Sequence, residues 1–316
     1  MFGTLSVTLL IIAPGERPDW WQREFARLVP DLEVRAWPDV GDPADIRSAL
    51  AWKPPSDELA KLPNLKAIWS MGAGIDHILV DDALPDVPIT RVVDPYLTAG
   101  ITEYVLLHVL RYHRNQPVFE AQQRDHVWDD RARDLRQADE RPVGVMGLGE
   151  LGRDAVAKLT HLGFDTAGWS RTAKDISGVA CFHGPDGLAP FLARSEILVC
   201  LLPLTDQTAG ILDRDTLARL PEGAYLINAA RGGHLVEADL IDALAAGQIT
   251  HATLDVFHEE PLPGDHPFWD HPQITMTPHN ASITDPRSVV AQVAENIRRL
   301  EAGEPLLHQV DRVAGY

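Results

Sequence analysis

Cysteine is scarce in this chain of 316 residues, which contains only Cys181 and Cys200. Two isolated cysteines provide neither a disulfide framework nor the spacing of a metal site, so the sequence predicts no metal and a reducing, cytoplasmic location. Basic residues are few as well, because 28 Lys and Arg stand against 46 Asp and Glu and give a formal charge of −18. This charge argues against partners such as nucleic acid or an anionic membrane surface, both of which require basic patches.

Long apolar runs are also missing. The N-terminal run VTLLIIA is far too short to span a bilayer and lacks a basic leader and a cleavage site, so we expect a buried strand there. With 45% hydrophobic and 23% charged residues, the composition is that of an ordinary globular protein. The length suits two domains, and two domains imply a cleft between them.

Short apolar, β-rich runs alternate with amphipathic segments along the chain, a pattern typical of parallel sheets covered by helices. The predicted fold class is therefore α/β. The first series of predicted strands is VTLLIIA, LEVRAW, LKAIWSMG and ITRVVD, with residues 18–28 and 56–62 as polar or helical segments. The second series is PVGVMG, FDTAGWS, EILVCLL, AYLINAA, HATLDVF and ITMTPH.

Two helical patterns organise these series into domains. The segment TAGITEYVLLHVLRYHRNQP predicts a long helix between the domains, and residues 285–303 predict a C-terminal helix that returns the chain to the first domain. The first domain is then discontinuous, with residues 1–107 plus 285–316, and the second comprises residues 108–284.

A glycine-rich turn, GLGELG, lies between a predicted buried strand and a predicted helix, which is the context that a dinucleotide fingerprint requires. Gly147 would permit the tight turn, Gly149 the approach of the pyrophosphate, and Gly152 the packing of helix on strand. The helix N-terminus would add amide donors and a positive dipole. The alternative is a turn that binds nothing.

The next predicted strand ends in GWSRT, where an acid would select NADH by binding the ribose 2′-hydroxyl. Ser170, Arg171 and Thr172 stand there instead, with Lys174 just beyond. A guanidinium and hydroxyl groups suit a 2′-phosphate, so this strand end predicts NADPH as the preferred cofactor, with NADH possible. A solvated surface arginine is the alternative interpretation of Arg171.

Three residues lie at or just past later strand ends, where open α/β sheets bind their ligands: Arg231, Glu260 and His279. His279 would donate a proton to a substrate carbonyl as hydride arrives at carbon. Glu260 would hold the imidazole tautomer, and Arg231 would grip a carboxylate beside that carbonyl. Taken singly, each could be an ordinary loop residue, and their joint placement favours the catalytic interpretation.

In this order GLGELG, INAARGG, LDVFHEEPLP and TPHNASIT resemble the D-2-hydroxyacid dehydrogenase family, and MGAGIDHI resembles its substrate loop. GWSRT, GAYLINAARG and the terminal QVDRVAGY are closer still to its glyoxylate/hydroxypyruvate reductase A group. The resemblance covers essentially the whole chain. It implies two flavodoxin- or Rossmann-like doubly wound domains, the first for substrate and the second for dinucleotide, a homodimer, and NADPH-dependent reduction of glyoxylate and hydroxypyruvate.

The resemblance also assigns site residues by their positions in these motifs. It places catalysis on Arg231, Glu260 and His279, of which Arg231 and His279 also bind substrate. For the substrate it adds the backbone of Met71, Gly72, Ala73 and Gly74, with Trp52 as a pocket wall; a core aromatic is the alternative for Trp52. For the cofactor it implies Leu148, Glu150, Leu151, Leu202, Pro203, Ala229, Ala230 and Asp255, besides the residues named above. Asp255 would face the nicotinamide amide, or would otherwise be a strand-end acid in need of a hydrogen-bond partner.

Two residues depart from the family pattern. Asn280 follows His279 where an apolar residue is expected, which leaves the preferred 2-oxo acid open, and Glu150 lies inside the phosphate loop. Two other functions stay open: a dehydrogenase of another 2-hydroxy acid or of phosphite, and a dinucleotide-sensing module that binds protein partners. The absence of a disordered partner-binding tail and the acidity of the chain disfavour the second.

Overall fold

The computed structural model describes residues 7–15, 17–312 and 314–315. Val313 and Tyr316 of the QVDRVAGY motif lie outside the described residues. The strands are β1 (Thr8–Ile12), β2 (Glu33–Ala36), β3 (Ile46–Ala51), β4 (Ala67–Ser70), β5 (Ile89–Thr90), β6 (Pro142–Met146), β7 (Asp165–Ser170), β8 (Ala180–His183), β9 (Ile197–Cys200), β10 (Ala224–Asn228), β11 (Ile249–Leu254) and β12 (Ile274–Met276).

The helices are α1 (Pro18–Leu28), α2 (Asp76–Leu79), α3 (Pro95–His113), α4 (Gln116–Arg124), α5 (Glu150–His161), α6 (Gly184–Arg194), α7 (Arg214–Ala218), α8 (Glu237–Ala245) and α9 (Pro286–Ala302). Short 3₁₀ turns occupy Pro43–Asp45, Leu59–Lys61, Asp130–Ala132, Ala138–Glu140 and Gly232–His234. Among the described residues no helix is long and apolar enough to cross a membrane.

The chain divides into two compact units. Unit 1 contains the described residues up to Leu97 and those from Thr284 onwards, and unit 2 contains Thr98–Ile283. The first boundary thus falls in the opening turn of α3, whereas the sequence places it at residue 107, inside the same helix. Because one helix continues across this boundary, no change of secondary structure marks it, and the pattern of residues alone could not locate it.

Unit 1 is a five-stranded sheet in the order β2-β1-β3-β4-β5, and each neighbouring pair of strands is parallel. Helices α1 and α9 cover one face, where Phe25 of α1 and Val290 of α9 pack with strand residues such as Leu9. Helix α9 starts where the Asp285 carboxylate accepts the amide of Arg287 at 2.9 Å, and it ends at Gly303, whose φ is 67°.

Unit 2 is a seven-stranded parallel sheet in the order β12-β11-β10-β9-β6-β7-β8. Helices α3 and α5 cover one face and α6 and α8 the other. Successive side chains of a strand enter opposite layers, as Leu226 and Ile227 of β10 do. The sheet order is the Rossmann order extended by one strand, and the predicted α/β fold with two parallel-sheet domains is confirmed.

Most predicted elements are present, and the differences are local. The sequence does not predict β3, β8 or α4, and it predicts α2, α6, α7 and α8 only through the general alternation of strands and helices. The predicted strand ITRVVD contributes only Ile89 and Thr90 to β5, since the next amides bond elsewhere: that of Arg91 donates to His308 O and that of Val92 to Gly72 O. The segment 56–62 forms only the 3₁₀ turn Leu59–Lys61.

Candidate active site

The glycine loop of unit 2 lies at the switch point of the sheet. It follows β6, which lies between β9 and β7 in the sheet. At β6 the strand order changes direction, because the chain first adds β7 and β8 on one side and then β9 to β12 on the other. In open α/β sheets this is where the ends of the strands leave a crevice for ligands. The position of the loop therefore matches the dinucleotide interpretation of GLGELG.

The three glycines of the loop do different things. Gly147 has a φ of 100°, and its amide donates to Trp169 O at 2.8 Å. A β-carbon on Gly152 would lie 1.7 Å from the carbonyl oxygen of Gly147, so no side chain fits there. A β-carbon on Gly149 would meet nothing within 4 Å. Gly147 and Gly152 thus shape the turn, whereas Gly149 leaves open space at the N-terminus of α5.

The residues between these glycines are either packed into the core of unit 2 or exposed at the surface of the loop. Leu148 is buried, with 2% of its surface exposed, and its side chain occupies the space beside Gly168 of β7. Leu151 packs against the adjoining core, whereas Glu150, in the first turn of α5, is exposed. The acidic side chain of Glu150 therefore lies at the surface of the loop.

The end of β7 lies next to the glycine loop, because β7 pairs with β6. Ser170 is buried and its Oγ donates to the carbonyl of Thr172 at 2.8 Å, which fixes the turn. Arg171, Thr172 and Lys174 are exposed in the loop that follows. Two cationic side chains and a hydroxyl therefore flank the strand end at which the sequence predicts the ribose phosphate.

The neighbouring strand ends form a mostly apolar floor. Leu202 follows β9 and is 7% exposed, and Ala229 and Ala230 follow β10 at 8% and 7%. The carbonyl of Pro203 accepts the hydroxyl of Thr208 at 2.7 Å. These four residues, predicted from the resemblance, therefore lie just past the ends of β9 and β10, the next two strands after β6 in the sheet.

His279 and Glu260 form a direct pair. The His279 Nδ1 and Glu260 Oε2 atoms are 2.8 Å apart, and the other carboxylate oxygen of Glu260 accepts the amide of Phe257 at 3.1 Å. The side chains are 36% and 23% exposed, respectively, so the imidazole reaches the surface of unit 2. The structure thus brings together the acid and the imidazole that the sequence pairs.

Arg231 lies half-buried in the loop after β10, with an extended backbone and its Nη1 donating to Ala230 O at 2.7 Å. The next residue, Gly232, touches the loop of Glu260, since a β-carbon there would lie 2.0 Å from the carbonyl carbon of Phe257. The three catalytic candidates therefore follow three adjacent strands, β10, β11 and β12.

Two residues that the sequence analysis does not single out support the Arg231 loop. Asn228 donates its amide to Arg231 O at 3.1 Å and accepts the amide of Ala230 at 3.2 Å. His234, which is fully buried, lies with Nδ1 3.2 Å from Arg231 O and Nε2 3.2 Å from Pro203 O. In the sequence these roles are marked only by the presence of Asn228 and His234 in the segment INAARGGH. Asparagine and histidine are too common in loops for their presence alone to predict such roles.

Asp255 is 2% exposed, and its carboxylate binds the loop of His279. Oδ1 accepts the Thr277 hydroxyl at 2.6 Å and the Asn280 amide at 2.9 Å, and Oδ2 accepts the Ala281 amide at 3.0 Å. The main-chain oxygen of Asp255 accepts the amide of His279 at 2.8 Å. Asp255 therefore has the hydrogen-bond partners that a strand-end acid requires. Its other predicted role, facing the nicotinamide amide, stays a prediction.

The predicted substrate loop belongs to unit 1, at the end of β4. The amide of Met71 donates to Ala51 O at 3.1 Å, and that of Gly72 donates to Ser70 Oγ at 3.1 Å. Ala73 and Gly74 are partly exposed. Two of the four predicted backbone contacts are thus already used inside the unit, and Ser70, which the sequence analysis does not single out, shapes the loop.

Trp52 follows β3 in the same unit and packs against this loop. A β-carbon on Gly72 would lie 2.7 Å from Trp52 Cζ3, and the rings of Trp52 and His77 are 4.5 Å apart at their centroids. The indole is partly exposed, and it borders the core of unit 1. Both interpretations of Trp52, as pocket wall and as core aromatic, therefore stay predictions.

Cys200 is the last residue of β9, two positions before Leu202. Cys200 is fully buried, and burial raises the pKa of its thiol to about 12, which makes it a poor nucleophile. In the described part of the chain no group of three or more His, Cys, Asp or Glu could hold a metal ion.

This chain is similar to known proteins over nearly its full length. The family described as D-isomer specific 2-hydroxyacid dehydrogenase, NAD binding domain, matches residues 106–281. A protein of Serratia proteamaculans (strain 568) named glyoxylate/hydroxypyruvate reductase A is 43% identical, over 98% of this chain and 100% of that protein.

Solved structures agree with the sequence comparisons. A D-isomer specific 2-hydroxyacid dehydrogenase from Xanthobacter autotrophicus Py2, in complex with NADPH and MES, has a TM-score of 0.93 and 46% identity, covering 98% of this chain and 99% of that one. An NADPH-dependent glyoxylate/hydroxypyruvate reductase from Sinorhizobium meliloti, in complex with NADP and sulfate, has a TM-score of 0.90 and 38% identity, covering 98% and 100%.

Proposed function

The chain belongs to the D-isomer specific 2-hydroxyacid dehydrogenase family, and from this premise we propose that it reduces glyoxylate to glycolate and hydroxypyruvate to D-glycerate with NADPH. Membership confirms the resemblance seen in the motifs. The observation that carries the proposal is the pair of His279 Nδ1 and Glu260 Oε2, 2.8 Å apart at adjacent strand ends. The relative from Serratia proteamaculans and the structure from Sinorhizobium meliloti support the same substrates.

The residues of unit 2 fit NADPH. Open space beside Gly149 and the amides that begin α5 suit a pyrophosphate, and the exposed Arg171, Thr172 and Lys174 suit a 2′-phosphate. The apolar floor at Leu202 and Ala229 suits a ring. When bound, the cofactor supplies the hydride, and preference for NADPH over NADH would come from Arg171.

His279 acts as the general acid in this proposal. Glu260 accepts a hydrogen bond from the Nδ1–H group, which fixes the tautomer and the orientation of the ring. Nε2 then donates its proton to the carbonyl oxygen of the 2-oxo acid as hydride reaches the carbonyl carbon. Arg231 binds the substrate carboxylate through its planar guanidinium and polarises the ketone.

The loop of unit 1 would contribute further carboxylate contacts. Because the amides of Met71 and Gly72 donate inside the unit, we expect the contact to come from the amides of Ala73 and Gly74. Substitution of Trp52 by Leu tests the pocket-wall role: a rise in KM for hydroxypyruvate with an unchanged melting temperature supports it. A fall in melting temperature with unchanged KM would assign Trp52 to the core.

A steady-state assay tests the function. Purified protein is mixed with NADPH or NADH and with glyoxylate or hydroxypyruvate, and cofactor oxidation is followed by absorbance. Turnover that is faster with NADPH supports the proposal. Binding of cofactor without turnover of either acid would refute these substrates and favour either another 2-hydroxy acid or the dinucleotide-sensing function.

We also propose a homodimer. Large apolar side chains of unit 2 are exposed on α3 and on the segment after α4: Leu107, Leu110, Val127, Trp128 at 98% and Leu135 at 73%. Leu107 and Leu110 share one helical face, and a second copy of the chain would remove these groups from water. The charged variant Trp128→Glu should yield monomers in analytical ultracentrifugation. Leu162→Glu, at an exposed leucine just past the end of α5, serves as the control that stays dimeric.

Cytoplasmic location is likewise a proposal. Its support is the pair of free thiols, Cys181 and Cys200, in a chain that forms no disulfide between them. Fractionation of cells that produce the native chain, with detection by antibody, tests the location. Recovery outside the cytoplasm would overturn it.

A further inference from the structure

The loop of His279 is held by one buried residue, Asp255. Asp255 accepts the amides of His279, Asn280 and Ala281 in succession, the first through its main-chain oxygen and the others through its side chain. His279 has a φ of 52°, an uncommon conformation for a residue with a side chain, and these three hydrogen bonds stabilise it. The position of the imidazole therefore depends on the position of the Asp255 carboxylate.

The Asp255 carboxylate is in turn oriented by a hydroxyl chain with a fixed direction. A carboxylate only accepts, so the Thr277 hydroxyl must use its proton on Asp255 Oδ1, 2.6 Å away. Thr277 Oγ1 then has only acceptor capacity left for Tyr104, whose hydroxyl oxygen is 2.7 Å away. Tyr104 is therefore the donor, and the chain runs from Tyr104 through Thr277 to Asp255.

Tyr104, the first donor of this series of hydroxyl groups, is held in place and stays protonated. Its side chain is 8% exposed, belongs to the core beneath α3, and packs on the ring of His108 at a centroid distance of 4.4 Å. Burial, together with the nearby Asp255 carboxylate, raises the pKa of Tyr104 above its ordinary value of 10, so its hydroxyl keeps its proton. The donor is thus present at any pH at which the protein would work.

We propose that Tyr104 and Thr277 are positioning residues for His279: they orient the Asp255 carboxylate, which holds the backbone of residues 279–281 and thereby aims the imidazole. The inference rests on the proposed function, because aiming matters only if His279 transfers the proton. Neither side chain touches substrate or cofactor in this scheme. Their effect reaches the reaction through the loop alone.

The test uses single-atom changes and a matched control on the same helix. Tyr104→Phe and Thr277→Val each remove one hydroxyl of the chain, and Thr277→Ser restores it. Tyr112→Phe is the control, because Tyr112 is also buried on α3 and its hydroxyl also bonds to a threonine, Thr253 of β11. That threonine lies 3.3 Å from His108 Nδ1, so the bond does not lead to Asp255. Each variant is assayed for kcat and for the Kd of NADPH.

We expect Tyr104→Phe and Thr277→Val to lower kcat by roughly ten- to a hundredfold with a nearly unchanged Kd for NADPH, since misplacement of a catalytic group by about 1 Å has such effects. Thr277→Ser should recover most of the activity, and Tyr112→Phe should leave kcat unchanged. If Tyr112→Phe lowers kcat as much as Tyr104→Phe does, the effect is the general cost of losing a buried hydroxyl group and the inference is wrong.

A second measurement does not depend on activity. Hydrogen exchange of the peptide that contains residues 279–281 should accelerate in Tyr104→Phe and Thr277→Val but not in Tyr112→Phe. If the wild-type chain turns over neither glyoxylate nor hydroxypyruvate, the proposed function fails while the exchange still decides whether the hydroxyl chain holds the loop. Unchanged exchange in both variants would overturn the inference even in an active enzyme.

Discussion

The different roles of Gly152 and Gly149 in the glycine loop can be separated by adding one methyl group to each in turn. Gly152→Ala places a β-carbon 1.7 Å from the carbonyl oxygen of Gly147, where real contacts are essentially never below 3.0 Å. Because that oxygen belongs to the backbone of a tight turn, we expect about 3 kcal/mol of strain, the upper end of the usual cost of overpacking. Alanine is a better helix former than glycine by about 1 kcal/mol, which leaves a net loss of about 2 kcal/mol.

Gly149→Ala is the matched variant from the same loop. Its β-carbon meets nothing within 4 Å, and the φ of −77° is open to any residue, so the free energy of unfolding should change by less than about 1 kcal/mol. The methyl group would, however, occupy the space that we assign to the pyrophosphate. The Kd for NADPH should therefore rise about tenfold or more, which corresponds to about 1.4 kcal/mol.

Thermal unfolding and NADPH titration of both variants are sufficient to test this. The melting temperature of Gly152→Ala should fall by roughly 4–8 °C, at about 2–4 °C per kcal/mol for a domain of this size, and that of Gly149→Ala should stay close to wild type. A Gly152→Ala variant that melts with wild type would refute the packing argument. A Gly149→Ala variant with wild-type affinity for NADPH would refute the location of the pyrophosphate.

Three further predictions concern catalysis, cofactor choice and acid stability. His279→Ala should lower kcat by roughly 10²–10⁴-fold, as loss of a general acid does, and should leave the Kd for NADPH near the wild-type value. The control variant His258→Gln should keep near wild-type activity. Undiminished turnover by His279→Ala would remove His279 from its role. Arg171→Ala should raise the Kd for NADPH much more than that for NADH, whereas the exposed control Arg219→Ala changes neither; an equal rise for both cofactors would show that Arg171 does not bind the 2′-phosphate. Burial, and to a smaller extent the charge of Arg111, lowers the pKa of His108 and of His251 from 6.5 to about 4. As the pH falls, both histidines are therefore protonated at a higher pH in the unfolded chain than in the folded one. Their contribution to the free energy of unfolding is complete above pH 6.5 and is lost as the pH falls toward 4, by up to about 1.4 kcal/mol per pH unit for each histidine. In urea titrations between about pH 7 and pH 5, His251→Gln should make this decline less steep. An unaltered slope would contradict the assignment.

Features that depend on local pattern could be predicted from the sequence. The glycine turn between strand and helix, and Arg231, Glu260 and His279 at strand ends, follow from short segments, because parallel strands bring their carboxyl ends to one edge. The hydrogen bond of His279 to Glu260 then agrees with the roles assigned to them. The substrate loop and Trp52 were placed by family resemblance, and their roles stay predictions.

Features that depend on distant pairing could not be predicted. Strand β3 reads IRSALA, which neither alternates nor forms a branched apolar run, yet it lies between β1 and β4 with Ser48 fully buried. The role of Asp255 likewise requires the register of β11 against β12, which brings Thr277 beside it. No spacing in the sequence encodes either arrangement, because both are set by neighbours far along the chain.

The exposure of Trp128 gives the protein a built-in optical reporter. The chain has eight tryptophans, and the indole of Trp128 is 98% exposed, whereas those of Trp21, Trp69 and Trp169 are at most 8% exposed. A water-exposed indole emits at longer wavelength than a buried one and is readily quenched by acrylamide. Association of two chains through the surface around Trp128 would therefore be visible as a blue shift and a loss of quenching, without any label and at high dilution.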